Sequence, residues 1–174
     1  MSAPDHDLVT ALREWDGRSA DDITALYTQF HQNPGFVEEL ILSCRAPETE
    51  RAATWLIKHH LEQGAVQITR ETRQQYYQAT RHLTHWEARL HVLQCMDHIA
   101  IPPDTVEAVW SFAQAAATSD RKLVQAWGLY GLARLAHQFP DYQPAAREVL
   151  AKAAQQHPKG AVAVRLRKAR ALLA

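Results

Sequence analysis

The sequence predicts an all-α fold, an α-solenoid of about five stacked antiparallel helix pairs. Three observations predict it. Apolar residues recur at three- and four-residue spacing almost throughout, and no stretch alternates as a half-buried strand would. Most glycines and prolines fall between these stretches rather than inside them, as short links require. A segment pattern also recurs every 37 to 40 residues, which is how a chain built of repeated units reads.

The elements follow in order. A first helix over 5–15 ends near Gly17. A second, over 20–32, has Ser19 placed as its N-cap and Asp21 and Asp22 in its first turn, where acids suit the helix dipole. Asn33-Pro34-Gly35 breaks it, and a third helix covers 36–45. Pro47 opens a fourth, over 47–63, which Gly64 stops. A fifth covers 67–82, and Thr84 is the expected cap of a sixth over 85–100. Pro102-Pro103 separates it from a seventh over 103–118, and Ser119 is the expected cap of an eighth over 120–138. Pro140 ends that one, a ninth covers 143–157, and a last covers 161–173. The short links make chain neighbours antiparallel. Gly128 and Gly131 lie inside the eighth helix, where each costs about 1 kcal/mol against alanine, so both are expected to admit a neighbouring helix closely.

The recurring pattern begins at Thr49, Trp86, Val124 and Val164, spaced 37, 38 and 40 residues apart. Each copy opens on a β-branched or aromatic residue, continues with a polar one, and enters a helix containing small residues. Val124-Gln125-Ala126-Trp127 and Val164-Arg165 resemble the opening Val-Arg of the inner helix in HEAT repeats. The spacing approaches the roughly 40–47 residues of HEAT and armadillo units. The resemblance covers residues 34–174 and is stronger in the C-terminal half; it implies one HEAT-like domain over 1–174, with residues 1–33 a candidate N-terminal cap. In such stacks the inner helices line a concave groove. The residues that would face it are Arg51, Trp55, Lys58 and His59 on the fourth helix and His91 and Gln94 on the sixth. Lys122 and Gln125 on the eighth and Arg165 and Lys168 on the last complete the candidate partner-binding set.

Composition narrows the function classes. Lys and Arg equal Asp and Glu at 19 each, which disfavours a dedicated nucleic-acid binder. The balance hides an asymmetry: residues 1–50 hold ten acids and three bases, whereas residues 159–174 hold five bases and no acid. Solvation of the outer surface is the plain reading of both. Cys44 and Cys95 are far apart, in apolar stretches and outside any CxxC pair, so reduced core thiols in a cytoplasmic protein are expected. The N-terminus shows no signal-peptide core and no run is long enough for a membrane span.

Motifs for chemistry are sparse. His82 and His85 straddle a helix junction, and His91 and His98, seven residues apart on one helix, are about 10 Å apart, too far for one metal. HEAT-like metal enzymes carry repeated His-Glu dipeptides, and this chain has none, so no metal or cofactor is expected. There is no GxSxG and no glycine-rich phosphate loop. Most of the five tryptophans, and of the tyrosines Tyr27, Tyr76, Tyr77, Tyr130 and Tyr142, are expected in the core. The favoured function is a non-catalytic scaffold that binds a protein through the concave face, as a monomer or weak homo-oligomer. The alternative is a HEAT-like nucleic-acid-binding or alkylation-repair protein, which would use aromatic and basic groove residues. A lyase or metal enzyme on the same scaffold ranks last.

Overall fold

The computed structural model describes residues 7–64 and 68–174. Among them are ten α-helices and no strand. The helices are α1 (Leu8–Glu14), α2 (Ala20–Phe30), α3 (Phe36–Ser43), α4 (Glu50–Glu62), α5 (Arg70–Thr80), α6 (Trp86–Cys95), α7 (Val106–Ala117), α8 (Lys122–Gln138), α9 (Gln143–Gln155) and α10 (Gly160–Leu172). The expected starts at residues 5 and 67 lie outside the described residues.

Several boundaries follow from local chemistry as read. Ser19 caps α2 by accepting from the Asp22 amide at 3.0 Å. Gly35 precedes α3 at φ +78°, a left-handed turn that suits glycine. Others differ. Pro47 stands in a turn and α4 starts at Glu50 instead. His85, not Thr84, caps α6, its Nδ1 accepting from the Glu87 amide at 3.2 Å. Thr84 is diverted because the buried Glu50 carboxylate takes its amide at 3.0 Å and its hydroxyl at 2.8 Å, together with the His85 amide. Glu50 thus satisfies the entry of α6 from one helix pair away. Likewise α8 begins at Lys122, with Ser119 accepting from the Arg121 amide in the preceding turn.

Helix packing runs stepwise. The even-numbered helices touch in succession, α2 to α4, α4 to α6, α6 to α8 and α8 to α10. On the other side α3 touches α5, and α5 touches the 3-10 turn Pro103–Thr105 that leads into α7. The core is one continuous apolar cluster, in which Leu56, Leu93 and Leu132 of α4, α6 and α8 are fully buried. A Cβ on Gly128 would stand 2.6 Å from the Ala116 carbonyl carbon and closer still to the Ala117 amide nitrogen. At that glycine the backbones of α7 and α8 meet directly. Gly131 faces α6, where a Cβ would lie 3.1 Å from Met96 Sδ and 3.2 Å from Leu93 Cδ2. Both cysteines are free and buried, and burial pushes the Cys95 thiol up to about 12. None of the described helices is long and apolar enough to cross a membrane.

Candidate functional site

Three of the positions expected to face a groove, Arg51, His91 and Arg165, make side-chain contacts that cross from one even-numbered helix to the next. Arg51 is the first link. Its Nε donates to Glu87 Oε2 of α6 at 2.6 Å, its Nη2 donates to the Gly17 carbonyl at 2.7 Å, and its guanidinium lies 5.2 Å from the Trp15 ring centroid. One side chain therefore ties the α1–α2 link to α4 and α6. Three residues on, Thr54 Oγ1 pairs with His91 Nδ1 at 3.0 Å. The Thr54 hydroxyl already donates to the Glu50 carbonyl at 2.8 Å, so it accepts from His91, which sets the imidazole proton on Nδ1.

His91 was expected to face the groove and does not. It is 7% exposed, enclosed at the α4–α6 seam. Burial, reinforced by the positive charges of Lys58 and Arg51, lowers its pKa to about 3, and it is neutral at physiological pH. Gln94, one turn further, is half-buried.

Trp55, Lys58 and His59 form an aromatic cluster with α2. Trp55 and His59 stack at 4.9 Å between centroids, Lys58 Nζ lies 6.0 Å from the indole centroid and pairs with Glu62 at 3.1 Å, and Tyr27 of α2 meets His59 edge-on at 4.6 Å. The Tyr27 hydroxyl bonds His60 Nδ1 at 3.0 Å. Burial lowers the pKa of both His59 and His60. Among the described residues no group of three or more His, Cys, Asp or Glu is arranged to hold a metal ion.

The C-terminal half of the face differs in charge balance. Arg121, just before α8, lies over Trp86 of α6 at 4.8 Å. Arg165 of α10 lies over Trp127 of α8 at 3.4 Å and near Tyr130 at 5.4 Å. Arg134 pairs with Asp97 at 2.9 Å, and Tyr130 donates to the same carboxylate at 3.0 Å. Lys122 donates to Gln125 at 3.2 Å, and Lys168 is exposed. Arg121, Lys122, Arg165 and Lys168 make no ion pair among the described residues.

The chain matches no known protein family, no curated protein and no solved structure. Sequence reasoning missed Trp15, Trp86, Trp127 and Tyr130 as surface groups, because the apolar stripe passes through them and they were expected in the core. All five tryptophans are instead half-buried, packed against the core on one side only. A usable signal existed: Trp86, Trp127 and their cationic partners stand 35 and 38 residues apart, close to the recurrence of the segment pattern.

Proposed function

We propose that this chain is a HEAT-type solenoid of five stacked helix pairs that works without catalysis, binding a protein partner along its even-helix face. The stepwise packing of α2, α4, α6, α8 and α10 supports the stacking. So does the separation of the side-chain bonds between successive pairs, which span 30 to 37 residues.

One observation carries the functional reading. The C-terminal half of the face combines half-buried Trp86, Trp127 and Tyr130 with four cations that have no ion-pair partner among the described residues. Trp, Tyr and Arg are the residue types that dominate interface energetics, because they offer large, stiff, amphipathic contact area. Unpaired cations beside them fit an acidic stretch of a protein partner. In this reading the chain acts in the cytoplasm as a monomer or weak homo-oligomer.

A nucleic acid is the competing occupant, since phosphates also seek arginine and bases stack on aromatics. Against it, Glu62, Glu87 and Asp97 stand on the same face and occupy Lys58, Arg51 and Arg134. Affinity isolation of the tagged chain from its source cell, after nuclease treatment, separates the two. The expected outcome is a set of co-purifying proteins that the double variant Arg121→Glu/Arg165→Glu loses while its thermal melt stays that of wild type. Recovery that the variant leaves unchanged would sink the assignment of this face. Loss on nuclease treatment, with salt-sensitive nanomolar duplex binding, would move the nucleic-acid reading ahead.

A further inference from the structure

The last helix pair leaves one face uncovered. α9 contacts α8 and α10, and α10 contacts α8 and α9, so among the described residues no further helix lies on their outer side. Between them runs a groove of about 780 Å³. Leu150, Leu166 and Leu173 form its floor and are buried. Its walls are mostly alanine, including exposed Ala171. Arg147, Arg167 and Arg170 stand exposed on its rim and make no ion pair among the described residues.

We propose that this groove docks an amphipathic helix from a partner protein, with apolar anchors one turn apart and acidic residues flanking them. The groove belongs to different residues from the even-helix face, and the proposal stands without that reading. Alanine walls let a helix backbone approach closely, and a leucine floor rewards side chains that reach it. This is the helix-in-groove mode of recognition, in which anchors at i, i+3, i+4 and i+7 supply the affinity. Three unpaired guanidiniums on the rim select carboxylates, which they can hold with two parallel hydrogen bonds.

A second copy of the chain fits less well. Joining two C-terminal ends sets arginine against arginine. Joining this end to the opposite one meets the exposed side of α2, where Asp21 and Asp22 offer charge but the other exposed residues, among them Thr24, Ala25, Thr28 and Gln29, include no large hydrophobic. The occupant therefore needs both an apolar face and acidic flanks, a combination that the exposed side of α2 lacks.

The test uses the full chain and a fluorescent synthetic helix of about four turns, roughly 14 residues, with leucines at i, i+3, i+4 and i+7 and glutamates beside them. Its twin carries lysines in place of the glutamates. Anisotropy titration should show micromolar binding of the acidic helix and none of the basic twin. Arg167→Glu/Arg170→Glu should weaken that binding about tenfold or more, as the loss of charge-assisted bonds predicts. Ala171→Trp should block it by filling the groove. Lys159→Glu, at the entry of the same helix but outside the groove, should leave it unchanged. Equal binding of both helices, no binding of either, or indifference to the arginine reversals would overturn the proposal. So would a dimer in light scattering that Ala171→Trp dissolves, which assigns the groove to a second copy. Binding to phosphatidylglycerol vesicles in place of the acidic helix would assign it to a lipid surface and overturn the proposal equally.

Discussion

His91 shows how a single side chain can be read one way from its helix position and act another. Its place on α6 suggested a polar residue facing a groove, yet it spends its Nδ1 proton on Thr54 and is sealed between α4 and α6. The consequence is acid sensitivity. The folded-state pKa of about 3 lies below the value near 6.5 of an exposed imidazole. Within that window the unfolded chain binds a proton that the folded chain refuses. The stability tied to neutral His91 is complete above about pH 6.5 and is lost as pH falls toward 3. Each pH unit across the window costs about 1.4 kcal/mol. Urea denaturation at about pH 7 and pH 4.5 should show wild type losing roughly 2 kcal/mol more than His91→Gln over that interval. His59 and His60 shift in the same direction and contribute to both proteins alike. Equal losses would mean that His91 is not held neutral in the folded state. Of the candidate site, the sequence made legible the helix on which each residue stands, because the apolar period fixes that, but not its exposure, since His91 is enclosed and Trp86 and Trp127 are half-buried. It did not reveal which of the residues are consumed by neighbours, because Arg51–Glu87 and Thr54–His91 join residues 36 and 37 positions apart.

At the scale of the helix, α8 is the element that most depends on its neighbours. It touches α6, α7, α9 and α10, and most of its circumference is enclosed. Two glycines make this possible, and they are not equivalent. A methyl group on Gly128 runs into the α7 backbone, which cannot move without shifting the helix. A methyl group on Gly131 meets the flexible end of Met96 and a Leu93 methyl, which can turn aside by a few tenths of an ångström. Alanine gains about 1 kcal/mol over glycine in helix propensity at either site. Gly131→Ala should therefore change stability by less than about 1 kcal/mol. Gly128→Ala should destabilise by about 1–3 kcal/mol or more, the cost of an overpacked contact. Calorimetric melting of both variants checks the order, and a Gly128→Ala protein as stable as wild type would disprove the close α7–α8 crossing. The glycines announced close approach in the sequence, but not which helix approaches. Helix number and order were legible because the apolar period is strong. The ends of α4 and α6 were not, since Glu50 reaches across a helix pair to take the amides and hydroxyl that Thr84 would otherwise spend locally.

Across the described residues, every substantial helix contact joins helices no more than three places apart in chain order. Stability in such an arrangement is a sum of nearest-neighbour terms, so one end can open while the other stays folded. α1 is short, at 7 residues, and the first pair meets the rest mainly through α3, α4 and the single guanidinium of Arg51. That side chain holds the Gly17 carbonyl, covers Trp15 and pairs with Glu87, so it bonds elements of three successive pairs at once. Arg51→Met keeps much of the apolar stem and removes all three polar links. Hydrogen–deuterium exchange should then quicken across α1 and α2 by about tenfold or more, the effect of losing roughly 1.5–3 kcal/mol of charged hydrogen bonding. Amides of α8 and α10 should exchange as in wild type, because Arg51 itself bonds nothing beyond α6. Glu87→Gln is the control: it cuts the Arg51–Glu87 pair yet leaves the Gly17 and Trp15 contacts in place, so α1 and α2 should respond far less. Faster exchange spread evenly over all ten helices would show that the chain opens as one cooperative unit, and the pairwise account of its stability would have to be given up.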